Sequence, residues 1–331
     1  MKVNYLRTIV LIAIFLALGV VTLGAYTRLT NAGLGCPDWP GCYGKIVLPT
    51  NAIDLAGAQQ SFPAVPIEPK KAWTEMIHRY AAGTLGSLIF LIVGFGTLFY
   101  RHKLSLFALF SLIGLLIFQA LLGMWTVTLK LLPVVVMGHL LGGILLFSFL
   151  SFLFWHLGNA KTTKNTTIKL LTTIAIFIVF IQIALGGWVS SNYAGIACLG
   201  FPTCNGQWLP HLDFAQGFHL LSPVGVNYQG GVLDSSLRVT IQFVHRIGAV
   251  ITAIYIIFLS LYILLHEKDK RLCRLSYVLL LLILTQFSLG IVNVIFLLPL
   301  WAAVAHNGVA AILLATLFSI FYFSKGRPHD L

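Results

Sequence analysis

Eight apolar stretches dominate the chain, at approximately residues 8–27, 74–99, 104–128, 134–156, 168–190, 238–264, 275–298 and 300–323. A helix that crosses the hydrocarbon of a bilayer needs about 20 such residues. No water reaches the backbone there, so each stretch must satisfy its own N–H and C=O groups and is expected as an α-helix. Only 9% of the 331 residues are charged and 58% are hydrophobic, where a soluble domain carries about 25% charged residues. These proportions exclude a soluble globular protein, a disordered chain and a disulfide miniprotein. The expectation is an all-α integral membrane protein in contact with membrane lipid. Lys2 and Arg7 precede the first stretch in the manner of a signal peptide, but the stretch exceeds the roughly 7–15 residues of an h-region. A counterpart recurs deep in the chain, so a retained helix is expected.

Lys and Arg number 21 against 9 Asp and Glu, a formal charge of +12. In a chain of this kind the excess bears on sidedness, and no nucleic-acid partner is implied. Thirteen basic residues, from Lys2 through Arg101, Lys161 and Arg271 to Arg327, fall on the side of the termini. Six fall on the other side, Arg28, Lys45, Lys70, Lys71, Lys130 and Arg238, although its loops are much longer. Arg79 and Arg246 lie within spans. The positive-inside rule therefore puts both termini in the cytoplasm and the long loops, residues 28–73 and 191–237, outside a bacterial-type inner (cell) membrane.

The chain also repeats itself. His78-Arg79 recurs as His245-Arg246, Gln119 and Gly123 as Gln286 and Gly290, and His139 as His306, each at an offset of 167. Cys36 and Cys42 recur as Cys198 and Cys204, at an offset of 162. An ordered set of this kind marks an internal duplication. The expected architecture is two tandem four-helix bundles, an N-terminal half (1–157) and a C-terminal half (168–331), joined by a polar cytoplasmic connector (158–167). Four spans per half restore the same direction, so the halves are expected to be related by a pseudo-twofold axis along the membrane normal.

Histidine inside a membrane span is a functional signal by default, and here four share a depth. His78 and His245 lie about 8–10 Å below the outer edge at 1.5 Å per residue. His139 and His306 enter from the same side and reach a similar level. Each half thus offers two imidazoles on two different helices, the donor set that a planar iron macrocycle takes on its opposite faces. Glycines surround them, Gly83 and Gly86, Gly138, Gly142 and Gly143, Gly248 and Gly308, and allow close approach of a helix or a flat ligand. The alternative is that each histidine hydrogen-bonds across a helix pair; two matched pairs favour two bis-histidine heme sites. No Cys-x-x-Cys-His is present for covalent attachment. Arg79 and Arg246 are candidates to pair with heme propionates or to snorkel to the interface. His102, His156, His211, His219, His266 and His329 are expected at solvated surface.

Both cysteine pairs, Cys36/Cys42 in GLGCPDWPGC and Cys198/Cys204 in CLGFPTC, have five intervening residues and follow an outward-going helix. An oxidising exterior permits disulfides that staple a loop over the mouth of each half, and labile redox exchange stays open beside that. The spacing is not a usual zinc pattern. Glu75 breaks the symmetry. It stands one turn before His78, on the same helix face, and its counterpart at +167 is Gln242. A buried carboxyl there can move protons; a simple ion pair with Arg79 is the other reading.

At these residues the chain resembles the heme A synthase family. The resemblance rests on EMIHRYAAGTLG (75–86), MGHLLGG (137–143), FVHRIGAV (243–250), VAHNG (304–308) and the two cysteine loops. It implies oxidation of a heme O methyl group to a formyl group through a hydroxylated intermediate, in cytochrome oxidase biogenesis. By the same resemblance, His245 and His306 correspond to ligands of a resident heme b, and His78 and His139 to the residues framing substrate heme O. Glu75 corresponds to the catalytic carboxylate, Cys36 and Cys42 to a pair linked with redox traffic, and Cys198 and Cys204 to a structural disulfide. Heme O synthase, an unidentified electron donor and a second copy of the chain are the partners left open. A two-heme electron carrier and a non-catalytic heme delivery protein are the rival readings. Neither requires the change from Glu75 to Gln242. The segment NYQGGVLD (227–234) has no role legible in the sequence.

Overall fold

The computed structural model describes residues 2–48, 51–63, 65–158 and 160–326; Arg327 and His329 lie outside the described residues. Eight helices are long and apolar enough to cross a membrane. They are α1 (Lys2–Leu29), α3 (Pro69–Phe99), α4 (Leu106–Thr128), α5 (Pro133–Leu157), α6 (Thr166–Ser191), α8 (Ser235–His266), α9 (Lys270–Ile295) and α10 (Leu300–Ser324). Two short helices, α2 (Ala52–Ser61) and α7 (Phe214–Gly217), lie in the long loops. The chain is therefore a multi-pass, all-helical membrane protein. Large apolar side chains such as Phe15, Phe107, Phe177 and Leu281 are exposed on the outside of the bundle, as suits a lipid-facing surface.

The helices overrun the apolar stretches that define them. α1 begins at Lys2 rather than residue 8, α3 at Pro69 rather than 74, and α9 at Lys270 rather than 275. The added turns are polar, and local chemistry favours them: proline opens α3 and α5, where no N–H is needed. The Asp269 carboxylate accepts from the N–H of Arg271 at the start of α9, and Arg271 beside it holds that carboxyl down at about 2. α9 also stops at Ile295, short of residue 298, because Leu297 and Leu298 turn into left-handed backbone.

Packing follows the duplication. α1 packs on α3, α3 on α4, α4 on α5 and α5 back on α1; α6, α8, α9 and α10 close the same cycle. The two cycles meet where α5 touches α6 and α10, and where α1 touches α10. Half of the α10 span and 44% of the α5 span are buried, against 17–28% for the other six, so these two helices form the centre. Trp155 of α5 donates to Ser319 of α10 at 2.9 Å across that centre. Even the rare backbone states recur. Among the described residues the eight non-glycine residues with positive φ form four pairs, Asn31/Tyr193, Tyr43/Asn205, Lys130/Leu297 and Leu131/Leu298. Each such residue costs on the order of 1–2 kcal/mol, offset at the tight turns by bonds such as Leu131 N–H to the Thr126 carbonyl and Leu298 N–H to that of Asn293, both 2.8 Å.

The connections are not loose. Thr163 donates its N–H to Phe323 at 2.8 Å and its hydroxyl to Asp269 at 3.0 Å, tying the connector to the C-terminal half. His156, expected at solvated surface, is instead half-buried with a ring nitrogen 2.8 Å from the Lys103 carbonyl, because it caps the groove between α5 and the α3–α4 turn. The NYQGGVLD segment forms a strap from the second long loop onto the first half. Tyr228 donates its N–H to Lys130 at 3.0 Å and is 2% exposed among Leu122, Leu131, Leu132 and Val135. Arg28 at the end of α1 reaches the other way, donating to the Ser190 carbonyl at 2.5 Å and covering the Tyr193 ring.

Truncating the strap's anchor, Tyr228→Ala, is expected to cost about 3 kcal/mol. Limited proteolysis of the detergent-solubilised protein should then cut between residues 221 and 234, where the parent chain resists, and the melting temperature should fall.

Candidate functional site

The four membrane histidines come together in two pairs, one per half. His78 on α3 and His139 on α5 stand with ring centroids 6.4 Å apart and planes at 87°. His245 on α8 and His306 on α10 hold the corresponding positions of the second half, each 167 residues on. All four are half-buried.

Each imidazole rests against a glycine of the next helix. A Cβ placed on Gly24 of α1 would lie 3.0 Å from Cε1 of His78, and one on Gly123 of α4 would lie 3.3 Å from that of His139. In the second half the corresponding distances are 3.1 Å from Gly186 of α6 to His245 and 3.5 Å from Gly290 of α9 to His306. Gly24 and Gly186 are absent from the candidates drawn from the sequence. The cysteine offset of 162 relates them and was the available signal.

Polar atoms at the rings are sparsely satisfied. Nδ1 of His78, His139 and His306 is buried without a hydrogen-bond partner. Nδ1 of His245 differs, lying 3.0 Å from the amide nitrogen of Gln182, which also donates to the His245 carbonyl at 3.0 Å.

Among the described residues no three His, Cys, Asp or Glu side chains gather as a metal cage. Paired imidazoles suit a metal that brings its other ligands with it, as iron in a macrocycle does. Two metal–imidazole bonds of about 2 Å with a ring radius of roughly 1 Å at each end span about 6 Å, close to the separation of His78 and His139. Close-set glycines and buried ring nitrogens without partners fit the same group.

Glu75, 4% exposed, lies between the histidine pair and the first cysteine loop. One carboxylate oxygen accepts the N–H of Cys36 at 2.9 Å, and the other is bonded by Arg79. Gln242 repeats the first contact, accepting from the N–H of Cys198 at 2.6 Å, and donates to the Gly195 carbonyl at 2.5 Å. The two halves thus share one loop-anchoring bond but differ in charge. Both cysteine pairs are joined as disulfides, and both arginines point into their loops. Arg79 donates to carbonyls of Asp38, Pro40 and Gly41; Arg246 donates to those of Cys198, Gly200 and Thr203. Arg246 keeps its Nε buried and unpartnered. Gly35 presses the first loop onto α3 so closely that a Cβ there would stand 2.6 Å from the Lys71 backbone.

Eight apolar helices, duplicated cycles and matched histidine pairs define a multi-pass membrane protein with one histidine pair in each half. The family model of cytochrome oxidase assembly proteins matches residues 7–318, and the chain belongs to that family. It is similar to a protein of Shewanella oneidensis named heme A synthase, 45% identical over 98% of this chain and 97% of the relative. Proteins of the same name from Flavobacterium psychrophilum and Neorickettsia sennetsu are each 28% identical. They cover 94% and 97% of this chain, and 96% and 99% of their own lengths.

Gln242 is a natural guide to substitution at Glu75. Glu75→Gln should keep the bond to Cys36 and melt within about 1 kcal/mol of the parent. Glu75→Ala in addition leaves that buried N–H without an acceptor and should cost about 2 kcal/mol more; Arg79 keeps its loop carbonyls in both variants. Thermal unfolding in detergent separates the two.

Proposed function

We propose that this chain is a heme A synthase, oxidising a methyl group of heme O to a formyl group through a hydroxylated intermediate. The observation that carries the reading is the pair Glu75 and Gln242. The two hold the same loop position in the two halves, bonded to Cys36 and Cys198, yet only one is ionisable. A carrier that merely passes electrons between two equivalent hemes has no use for that difference.

In this proposal the N-terminal half, residues 1–157, receives heme O between His78 and His139. The C-terminal half, residues 168–331, holds heme b through His245 and His306. Heme b supplies one-electron transfer when bound. Glu75 lies one helical turn from His78, and oxidising a methyl carbon releases protons. The Glu75 oxygen now facing Cys36 N–H is the atom proposed to take them up. Arg79 and Arg246 keep positive charge at the outer ends of the sites, where propionates would lie. The disulfide loops, fixed by these arginines, keep water from the mouths, with Cys198–Cys204 a staple and Cys36–Cys42, directly against Glu75, the pair placed for redox exchange. Lipid-facing helices give a farnesyl-tailed substrate a route in from the bilayer.

The sidedness drawn from the basic residues belongs to the same proposal: a bacterial inner (cell) membrane, both termini cytoplasmic, the long loops outside. Heme O synthase as donor of substrate, a separate electron donor and association with a second copy are consistent with it.

The test is to purify the protein from cells supplying heme O, extract its non-covalent hemes and identify them by mass. Hydroxylated or formyl-bearing heme is expected from the parent chain and absent without it. Glu75→Gln should retain heme b and lose at least about 100-fold in product. Heme b alone with heme O plentiful would overturn the synthase reading in favour of an electron carrier, and no heme at all would overturn the histidine sites.

A further inference from the structure

The helix beside each histidine carries more than its glycine. One turn before Gly123, Gly186 and Gly290 stand Gln119, Gln182 and Gln286, so α4, α6 and α9 each present an amide and a glycine at i and i+4 on the face toward an imidazole. On α1 the residue one turn before Gly24 is Val20. The offset that relates Cys36 to Cys198 and Gly24 to Gly186 also relates Val20 to Gln182.

The amides are close at hand. Gln182 contacts Nδ1 of His245 directly. The backbone of Gln119 approaches His139 and that of Gln286 approaches His306. Each of these two side chains keeps a buried amide atom without a partner, Nε2 of Gln119 and Oε1 of Gln286. Room for two of the amides is built into the facing helix one turn after the histidine. A Cβ on Gly142 would fall 1.9 Å from Gln119 Nε2, and one on Gly248 would fall 2.2 Å from Gln182 Oε1. His78 lies against Gly24 and is approached by the backbone of Val20 as His139 and His306 are by Gln119 and Gln286, but its neighbour on α1 brings no amide.

We infer that these glutamines are positioning residues that steady the facing histidines, and that Val20 leaves His78 as the one ligand free to turn away from a bound heme. The inference rests on the proposed function and deepens it, naming the exchangeable ligand of the substrate half. An amide suits this task because it meets the ring in either protonation form. Its NH2 donates to a bare Nδ1, and its carbonyl oxygen accepts from Nδ1–H once Nε2 is engaged by a metal. A ligand held in this way keeps its orientation and donates more strongly. Valine offers neither contact, so His78 can rotate without breaking a side-chain bond. In the C-terminal half a tethered His245 suits a heme that stays. In the N-terminal half, substrate must enter, react and leave, and one axial position must open for it to do so.

The test uses the full-length protein carrying both hemes and follows their transfer to excess apomyoglobin in detergent, with heme identity read by mass. The parent chain should lose heme O and its products in a fast phase and heme b in a slow one. Gln182→Val should speed the slow phase about 10- to 100-fold. Gly248→Ala, which displaces the far end of the Gln182 side chain and presses on Leu185 Cδ1 at 3.1 Å, should act in the same direction. Val20→Gln should slow the fast phase while leaving the slow phase unchanged. The midpoint potential of heme b gives a second readout: Gln182→Val should raise it and Gln182→Glu should lower it, a reversal of sign that a merely structural role does not produce. Unchanged transfer rates and potentials in variants that bind both hemes would overturn the inference. Failure of the parent chain to bind heme would instead overturn the proposed function on which it rests.

Discussion

Close approach of helices at four glycines governs the geometry of this protein. An imidazole deep in a membrane bundle must either find polar partners or be given a ligand, because hydrocarbon offers neither water nor counterion. Gly24, Gly123, Gly186 and Gly290 let the facing helix come near enough for its histidine ring to lie against backbone. A Cβ at Gly24, Gly123 or Gly186 would press on the ring at 3.0–3.3 Å, while one at Gly290 would reach ordinary contact at 3.5 Å. These contacts lie in the pairings of α1 with α3, α4 with α5, α6 with α8 and α9 with α10, four of the sides of the two four-helix cycles.

Duplication supplied two copies of that arrangement, and substitutions have since distinguished them. Shared backbone features, including the four matched pairs of left-handed residues, show how closely the scaffold was kept. Two of the differences lie beside the histidines. Glu75 faces Gln242 across the repeat, and Val20 faces Gln182. Each exchange replaces one side chain by another of similar size while changing what it can bond. The halves can therefore differ in chemistry with little change in packing, which is how a single fold comes to hold two unlike sites.

Much of this was legible in the sequence because membrane helices are set by long apolar runs and histidines in them are conspicuous. All eight spans were recoverable, with errors only at ends such as residues 270–274 of α9, where Lys270, Arg271 and Arg274 continue the helix into the aqueous phase. The disulfide pairs and the relation of Glu75 to His78 were also legible, since both depend on short spacing along one segment. What escaped notice depends on contacts between segments. Gly24 and Gly186 look like ordinary small residues in apolar helices until the facing ring is seen. Arg79 and Arg246 gave no sign that they bind the carbonyls of loops some 40 residues away. His156 read as surface because nothing local reveals the Lys103 carbonyl beside it. The tie between Tyr228 and Lys130 had no signal at all, as a backbone hydrogen bond leaves no mark on residue identity.

That last contact bears on how the chain comes to be assembled. Lys130 is made 98 residues before Tyr228, so the α4–α5 turn is complete before the segment that covers it exists. Only when that segment has been made can the first half acquire its cover. The two halves are thus unequal in time as well as in chemistry. A chain cut between them would leave the earlier half with Leu131, Leu132 and Val135 open to whatever lies at the membrane surface.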